Sequence, residues 1–182
     1  MIGGSAGSLQ VILDLLKKLK KDLDFPIIIV VHRKANSSNV LPVLLQQYTG
    51  KNVFEAEDKT EIFPDCIYVV PSDYHLLFEN KSCVSIDSSE KMNYSRPSID
   101  VTFRSAAEVF GETAVAVLLS GANADGVEGL QYILRNHGEA WVQDPETAEV
   151  DYMPRQAIAA LDHFTLINPQ NLAENINQLE KM

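Results

Sequence analysis

The feature that most constrains this fold is a set of unbroken apolar runs rich in β-branched residues. They read FPIIIVVH from residue 25, CIYVVP from residue 66 and AVAVLLSG from residue 114, and AWVQD and FTLIN are weaker versions. Runs without polar alternation are typical of strands buried on both faces, as in a parallel sheet covered by helices. The chain therefore needs helices on both sides of such a sheet.

Helical patterns do alternate with these runs. The first has Val11, Leu15, Leu16 and Leu19 on one face, and a second begins with a Ser98 cap and ends at Gly111. Further amphipathic stretches are predicted at 125–138, 153–163 and 169–182. The segment YHLLFENKSCVSID, with Asn80-Lys81 between two short apolar strands, predicts an inserted β-hairpin. We therefore predict a single domain over 1–182 of α/β class, a three-layer, mostly parallel doubly wound sheet flanked by helices.

Composition narrows the functional classes. The chain has 182 residues, of which 46% are hydrophobic, and a formal net charge of −10. The acidic balance argues against a nucleic-acid partner, and no apolar run reaches the ~18 residues of a membrane span, so we expect a soluble cytoplasmic protein without membrane insertion. Cys66 and Cys83 are predicted to be buried free thiols, and no spacing of histidines and cysteines predicts a metal or cofactor.

The chain starts with a glycine-rich loop. Only Met1 and Ile2 precede it, whereas a buried strand needs about five residues, so we expect a stunted first strand or one whose upstream part is missing. The glycines Gly3, Gly4 and Gly7 do not match the dinucleotide-binding spacing or a Walker loop. A phosphate-binding loop is therefore the weaker interpretation.

The same loop, GGSAG, does match Gly-x-Ser-x-Gly. A serine between a strand and a helix is presented to solvent, and the free N–H groups of the helix start favour negative charge. Ser5 is thus a candidate nucleophile, with the N–H of Ala6 as a candidate oxyanion donor. A purely structural serine in a glycine turn remains the alternative.

A nucleophilic serine needs a base. Of His32, His75, His137 and His163, only His32 ends a predicted strand that can neighbour the Ser5 loop. We interpret His75 as a packing or turn residue and His137 as the end of a helix.

The base in turn needs an orienting acid. Asp73, Asp125 and Asp144 all follow predicted strands, and Asp58 is an outside candidate. Asp125 ranks first because small residues in LLSGANADGVEG allow close approach, although a helix-capping role would also explain it. The order Ser, His, Asp differs from that of the α/β-hydrolases.

Seven blocks of the sequence, in order, resemble the chemotaxis protein-glutamate methylesterases, the CheB-type catalytic domain. They are IGGSAGS, VVHR, EAEDK, YVVPSDYHLLFE, SRPSIDVTFRSAA, AVLLSGANADGVEGL and QDPETAEVDYMPRQAI. The resemblance implies a Ser-His-Asp hydrolase that removes methyl esters from glutamate side chains on the cytoplasmic helices of chemoreceptors, with deamidation of glutamines as a second activity. It implies Ser5, His32 and Asp125 as catalytic residues and the N–H groups of Ala6 and Ala122 as oxyanion donors.

The chain also departs from the better-known members. It has RKANSSN after the histidine where they have a Met-Pro-Pro-like segment. We expect a stand-alone form without the phosphoacceptor receiver domain of many members, with a receiver domain or another signalling module as a partner in trans. Residues expected to contact an acidic substrate are Arg33, Lys34, Arg96, Met153 and Arg155, with ordinary surface charge as the alternative for the four basic residues. Two alternative functions remain open: a catalytically idle signalling-scaffold module and an esterase for a non-receptor substrate.

Overall fold

In a computed structural model, which describes residues 1–33 and 40–179, seven parallel strands form the central sheet. Its strands are β1 Ile2–Gly4, β2 Ile27–Val31, β3 Asn52–Glu55, β5 Cys66–Val69, β8 Val115–Leu118, β9 Glu139–Gln143 and β10 Thr165–Ile167. A small antiparallel sheet contains β4 Thr60–Glu61, β6 His75–Asn80 and β7 Cys83–Asp87. The strand order of the central sheet is β10-β9-β8-β1-β2-β5-β3.

Helices cover both faces of this sheet. They are α1 Leu9–Leu16, α2 Val40–Gln46, α3 Ile99–Phe110, α4 Val127–Arg135, α5 Tyr152–Ala160 and α6 Pro169–Gln178. Side chains of α1, α2 and α6 share one buried cluster with Ile27 and Ile29 of β2. Those of α3, α4, α5 and the small sheet share the other with Ile28 and Val30. The alternation along β2 shows why its sequence is apolar throughout, and the predicted three-layer α/β fold is confirmed.

Strand β1 lies in the middle of the sheet although it has only three residues. Ile2 is in register with Ile29 of β2 on one side and with Val117 of β8 on the other. The chain thus winds outward from β1 to β2 and later returns to its other side at β8. Such a reversal opens a crevice at the carboxyl ends of the strands, where ligands bind in α/β sheets. Ser5, His32 and Ser120, which come shortly after β1, β2 and β8, lie together at this edge of the sheet.

Some local predictions needed correction. Helix α2 and strands β3 and β4 were not predicted, because α2 is short and the side chains of β3 are alternately exposed and half-buried. The predicted hairpin is present, but Asn80 pairs with Cys83, so the turn lies one residue later, at Lys81 and Ser82. Both cysteines are free, as predicted, yet they are half-buried rather than buried. No helix of the described ranges is long and apolar enough to cross a membrane.

The close packing of α3 on α4 depends on Gly129. A Cβ atom at this position would lie 2.7 Å from Phe103 Cβ and 3.1 Å from the Asp100 Cα. Both distances are below ordinary van der Waals contact, and the Asp100 atom belongs to the main chain. The two helices therefore approach as closely as they do because residue 129 has no side chain.

We predict that Gly129→Ala destabilises the domain by roughly 1–3 kcal/mol, because overpacking outweighs the better helix propensity of alanine. Urea unfolding measures this change. The matched control is Gly50→Ala, where an added Cβ would meet nothing within 4 Å and the free energy of unfolding should stay close to that of the parent. Equal stability of both variants would contradict the packing argument.

Candidate active site

The loop after β1 presents Ser5 at the carboxyl edge of the sheet. The Ser5 N–H donates to the Ser120 carbonyl (2.9 Å), and the Ser8 hydroxyl donates back to the Ser5 carbonyl (2.7 Å). The left-handed backbone of the loop lies at Gly7, with φ of 81°, where an added Cβ would lie 2.6 Å from the Ser120 hydroxyl. Gly7 thus shapes the turn, whereas Gly3 and Gly4, predicted to lie in the loop, belong to β1, and the half-buried serine side chain is left at the tip.

Ser120, in the loop after β8, is hydrogen-bonded both to the loop after β1 and to the segment before α5. Its hydroxyl lies 2.7 Å from the Ala6 carbonyl and accepts a hydrogen bond from the Val150 N–H (2.9 Å). Its own N–H donates to Gln143 Oε1 at 2.9 Å. Because Ser120 and Gln143 are completely buried, these bonds are shielded from water and hold the loop after β1 in one position.

Ser5, His32 and Asp125 form a continuous hydrogen-bonded chain. The Ser5 Oγ lies 3.1 Å from His32 Nδ1, and His32 Nε2 lies 2.7 Å from Asp125 Oδ2. A carboxylate accepts only, so Nε2 carries the proton and Nδ1 keeps a lone pair toward the serine hydroxyl. The structure thus brings together the three residues that the sequence analysis singled out, in the arrangement that activates a serine.

The Asp125 carboxylate is fully buried at the N-terminus of α3. It accepts hydrogen bonds from the N–H groups of Ile99 (2.7 Å) and Asp100 (3.1 Å) and from the Ser98 hydroxyl (2.8 Å). Burial by itself would raise the pKa of Asp125, but the hydrogen bonds from His32, Ile99 and Asp100 outweigh it and lower that pKa. Asp125 is therefore held as a carboxylate that faces the imidazole.

The Asp100 side chain, in α3, binds the start of the neighbouring helix α4. Its Oδ1 accepts from the N–H groups of Gly126 (2.9 Å) and Gly129 (2.6 Å) at the start of α4. Burial and then the charge of Asp125 raise the pKa of Asp100 to about 7, because two nearby buried carboxylates cannot both ionise cheaply. The Asn93 amide bridges the pair, donating to Asp100 Oδ2 (2.7 Å) and Asp125 Oδ1 (3.2 Å).

His75 helps to hold the loop that carries Asn93. Its Nδ1 accepts from the Ser98 N–H (3.1 Å), and its Nε2 lies 2.9 Å from the Glu90 carbonyl. The side chain is buried, so these bonds are structural, in agreement with the packing or turn role expected from the sequence. Its contribution to the site was still missed, because nothing in the sequence connects residue 75 with residues 90 and 98.

Two main-chain amides flank the serine. Ala6 and Ala122, which follow β1 and β8, are both exposed. Within residues 1–33 and 40–179 neither N–H has a hydrogen-bond acceptor. Free amides at such positions are the groups that stabilise a developing oxyanion.

The residues predicted to contact substrate divide into two groups. Arg33 and Arg96 line a cavity that also contains His32. Met153 is completely buried and would collide with a side chain at position 121, so it supports the loop that carries Ala122. Arg155 is an exposed residue of α5 paired with Asp151 and Glu146 (2.6 and 2.9 Å), outside that cavity. Lys34 lies outside the described residues.

The comparison with known families decides what kind of domain this is. A family model described as CheB methylesterase matches residues 1–176. The chain belongs to the CheB methylesterase family. This CheB-family domain also superimposes on the crystal structure of the Thermotoga maritima CheB methylesterase catalytic domain with a TM-score of 0.89 and 30% identity, covering 97% of this chain and 95% of that one.

Relatives of the CheB-family domain agree with this assignment. A Leptospira interrogans protein, provisionally named a protein-glutamate methylesterase/protein-glutamine glutaminase, is 40% identical over 181 residues, which is 100% of this chain and 94% of that protein. The Thermotoga maritima enzyme of the same name is 32% identical over 87% of this chain, which spans 47% of that longer protein.

The aspartate pair predicts a pH dependence of stability. The pKa of Asp100 is about 7 in the folded state, above the ordinary value of 3.8, so between these values the folded state binds more protons than the unfolded one. The free energy of unfolding contributed by Asp100 therefore falls as the pH rises through this window. In Asp100→Asn this part of the decline should disappear, as measured by urea unfolding from about pH 4.5 to about pH 7.5. Replacement of the exposed Asp162 by Asn is the control, and an unchanged slope in Asp100→Asn would refute the pairing.

Proposed function

We propose that this domain is a protein-glutamate methylesterase that hydrolyses methyl esters of glutamate side chains in chemoreceptors, with deamidation of glutamine as a second reaction. The observation that carries the proposal is the chain of hydrogen bonds from Ser5 through His32 to the buried Asp125. Membership in the CheB methylesterase family supplies the reaction class. The names of two relatives supply the reacting groups, which are the methyl ester of a protein glutamate and the amide of a protein glutamine.

Acylation begins when Ser5 Oγ attacks the ester carbonyl carbon and its proton passes to His32 Nδ1. The carbonyl oxygen becomes an oxyanion that the N–H groups of Ala6 and Ala122 stabilise. The tetrahedral intermediate then collapses, the bond to the methoxy oxygen breaks, and His32 Nδ1–H protonates the leaving group to give methanol. An acyl-enzyme on Ser5 remains.

Deacylation repeats these steps with water as the nucleophile. His32 Nδ1 takes a proton from water as its oxygen attacks the acyl carbon, and then gives that proton to Ser5 Oγ as the bond between the acyl carbon and Oγ breaks. The product is the glutamate γ-carboxylic acid, which ionises by releasing its proton to solvent. With a glutamine substrate the first leaving group is ammonia, and the later steps are the same. Throughout, Asp125 holds Nε2–H and stabilises the imidazolium that forms in each half of the reaction.

The surroundings of Asp125 fit this role. An acid that orients an imidazolium must stay charged, and the N–H groups at the start of α3 lower its pKa despite complete burial. Burying these charged groups costs desolvation free energy, and a well-packed apolar core is often at least as stable. A domain that served only as a scaffold would have no use for it, and we therefore favour an active enzyme.

The test is the release of labelled methanol from membranes that carry methyl-labelled chemoreceptors of the same cell. Ser5→Ala should reduce the rate by roughly 10⁴- to 10⁶-fold, and Asp125→Asn by about 10⁴-fold because the wrong imidazole tautomer is favoured. The double variant should lose little more than Ser5→Ala, since the two residues act as one unit.

The control is Ser82→Ala, in the exposed hairpin turn, which should keep the parent rate. Equal release by the parent and Ser5→Ala would disprove the nucleophile. Hydrolysis of small methyl esters without hydrolysis of receptors would instead favour a non-receptor esterase. A folded parent with neither activity would favour the scaffold.

A further inference from the structure

Arg33, the residue after His32, has a buried guanidinium whose N–H groups are only partly hydrogen-bonded. Its side chain is only 10% exposed, and Nη2 donates to Glu55 Oε1 (2.9 Å) and to the Val70 carbonyl (2.6 Å). The buried Nε and Nη1 atoms have no hydrogen-bond partner in the part of the chain that the structure describes. Buried polar groups are nearly always paired, so open donors on a buried guanidinium point to a missing acceptor.

Arg33 also lines a cavity beside the proposed catalytic residues. The cavity has a volume of about 290 Å³, and His32, Arg33, Lys91, Tyr94 and Arg96 contribute to its lining. Three of its side chains are cationic, and two carboxylates balance them, Asp73 in the lining and Glu55 paired with Arg33, which leaves an excess of one positive charge. This local excess of positive charge contrasts with the net charge of −10 for the whole chain. The cavity is therefore suited to an anionic group.

Arg96 does not supply the open donors. Its Nε and Nη2 donate to Asp73 Oδ1 (3.1 and 2.7 Å), and its Nη1 donates to the carbonyls of Ser88 and Ser89 (2.7 Å each). Through these bonds Arg96 stabilises the wall of the cavity, and its charge balances that of Asp73. Of the two arginines that line the cavity, Arg33 is therefore the one with N–H groups that lack an acceptor. Lys91 lines the same cavity.

The sheet order separates this cavity from the proposed oxyanion site. Ala6 and Ala122 follow β1 and β8, whereas Arg33 follows β2 and reaches toward Val70, after β5, on the other side. The guanidinium is therefore placed to bind a different part of the substrate from the carbonyl under attack. Because the esterified side chain is neutral, an anion bound by Arg33 must come from a neighbouring residue.

We propose that Arg33 binds a carboxylate of an acidic peptide substrate, next to the side chain that reacts at Ser5. The inference rests on the proposed methylesterase function and adds a specificity determinant to it. It gives Arg33, the first residue of the segment that departs from the better-known family members, a chemical role. Arg33 acts here in substrate binding and takes no part in the proton transfers.

The experiment compares two helical peptides that contain one γ-methyl glutamate. One has glutamates three and four residues away on either side, where side chains share a helix face, and the other has alanines there, which the proposed glutaminase reaction cannot convert to glutamate. We expect the parent to prefer the acidic peptide roughly tenfold in kcat/KM. In Arg33→Gln this ratio should fall to about two or less, and Arg33→Lys, which keeps the charge, should restore part of it.

Arg104→Gln is the matched control, because Arg104 is an exposed residue of α3 paired with Glu108 and should leave the ratio at its parent value. Affinities of both peptides for Ser5→Ala, measured by calorimetry, give a second readout that does not need turnover. Unfolding midpoints confirm that each variant is folded.

The outcomes separate the two proposals. Equal kcat/KM values for the two peptides in the parent, or a preference that survives Arg33→Gln in full, would overturn the carboxylate site and leave the methylesterase function standing. Absence of methanol release from both peptides would overturn the methylesterase function for such substrates. In that case equal binding of both peptides by Ser5→Ala would overturn the carboxylate site as well.

Discussion

The buried negative charge of Asp125 is the constraint on which this site depends. A carboxylate removed from water is stable only when hydrogen bonds and opposite charge replace its hydration. Asp125 obtains them from the first turn of α3, from the Ser98 hydroxyl and from His32. The position of the imidazole therefore follows from the position of a helix N-terminus, and a rigid element of the fold sets the geometry at Ser5.

Two aspartates each hydrogen-bond to the start of the other's helix, and this exchange between α3 and α4 links the site to the hydrophobic core. Asp125 precedes α4 and binds the start of α3, while Asp100 belongs to α3 and binds the start of α4. This exchange requires the two helices to lie very close together, which the missing side chain at Gly129 allows. Packing on one face of the sheet thus brings two carboxylates together, and the hydrogen bonds from His32 and the start of α3 determine that Asp125 is the one that stays charged.

Local electrostatics in this domain differs from its overall charge. A protein with a net charge of −10 would repel an acidic peptide at long range, and physiological salt screens this repulsion beyond about 8 Å. The cavity beside His32 has a small excess of positive charge, because Arg33, Lys91 and Arg96 line it and only two of them are paired, with Glu55 and Asp73. Recognition of an acidic segment would therefore depend on contacts inside the cavity rather than on steering by the whole surface.

The sequence by itself determined the buried strands and the Ser98 and Gly111 ends of α3, and it made Ser5, His32 and Asp125 candidates because each follows a predicted strand. It also carried the family resemblance. That the three candidates meet was decided by the strand order β8-β1-β2, which places those strand ends side by side. Tertiary structure decided the rest: the bridge made by Asn93, the pairing of Asp100 with Asp125, the support from His75, and the placement of Met153 and Arg155 outside the cavity beside His32. Periodicity records whether a side chain is buried, whereas its hydrogen-bond partner can lie twenty or more residues away and is selected only when strand register and helix packing bring the two together.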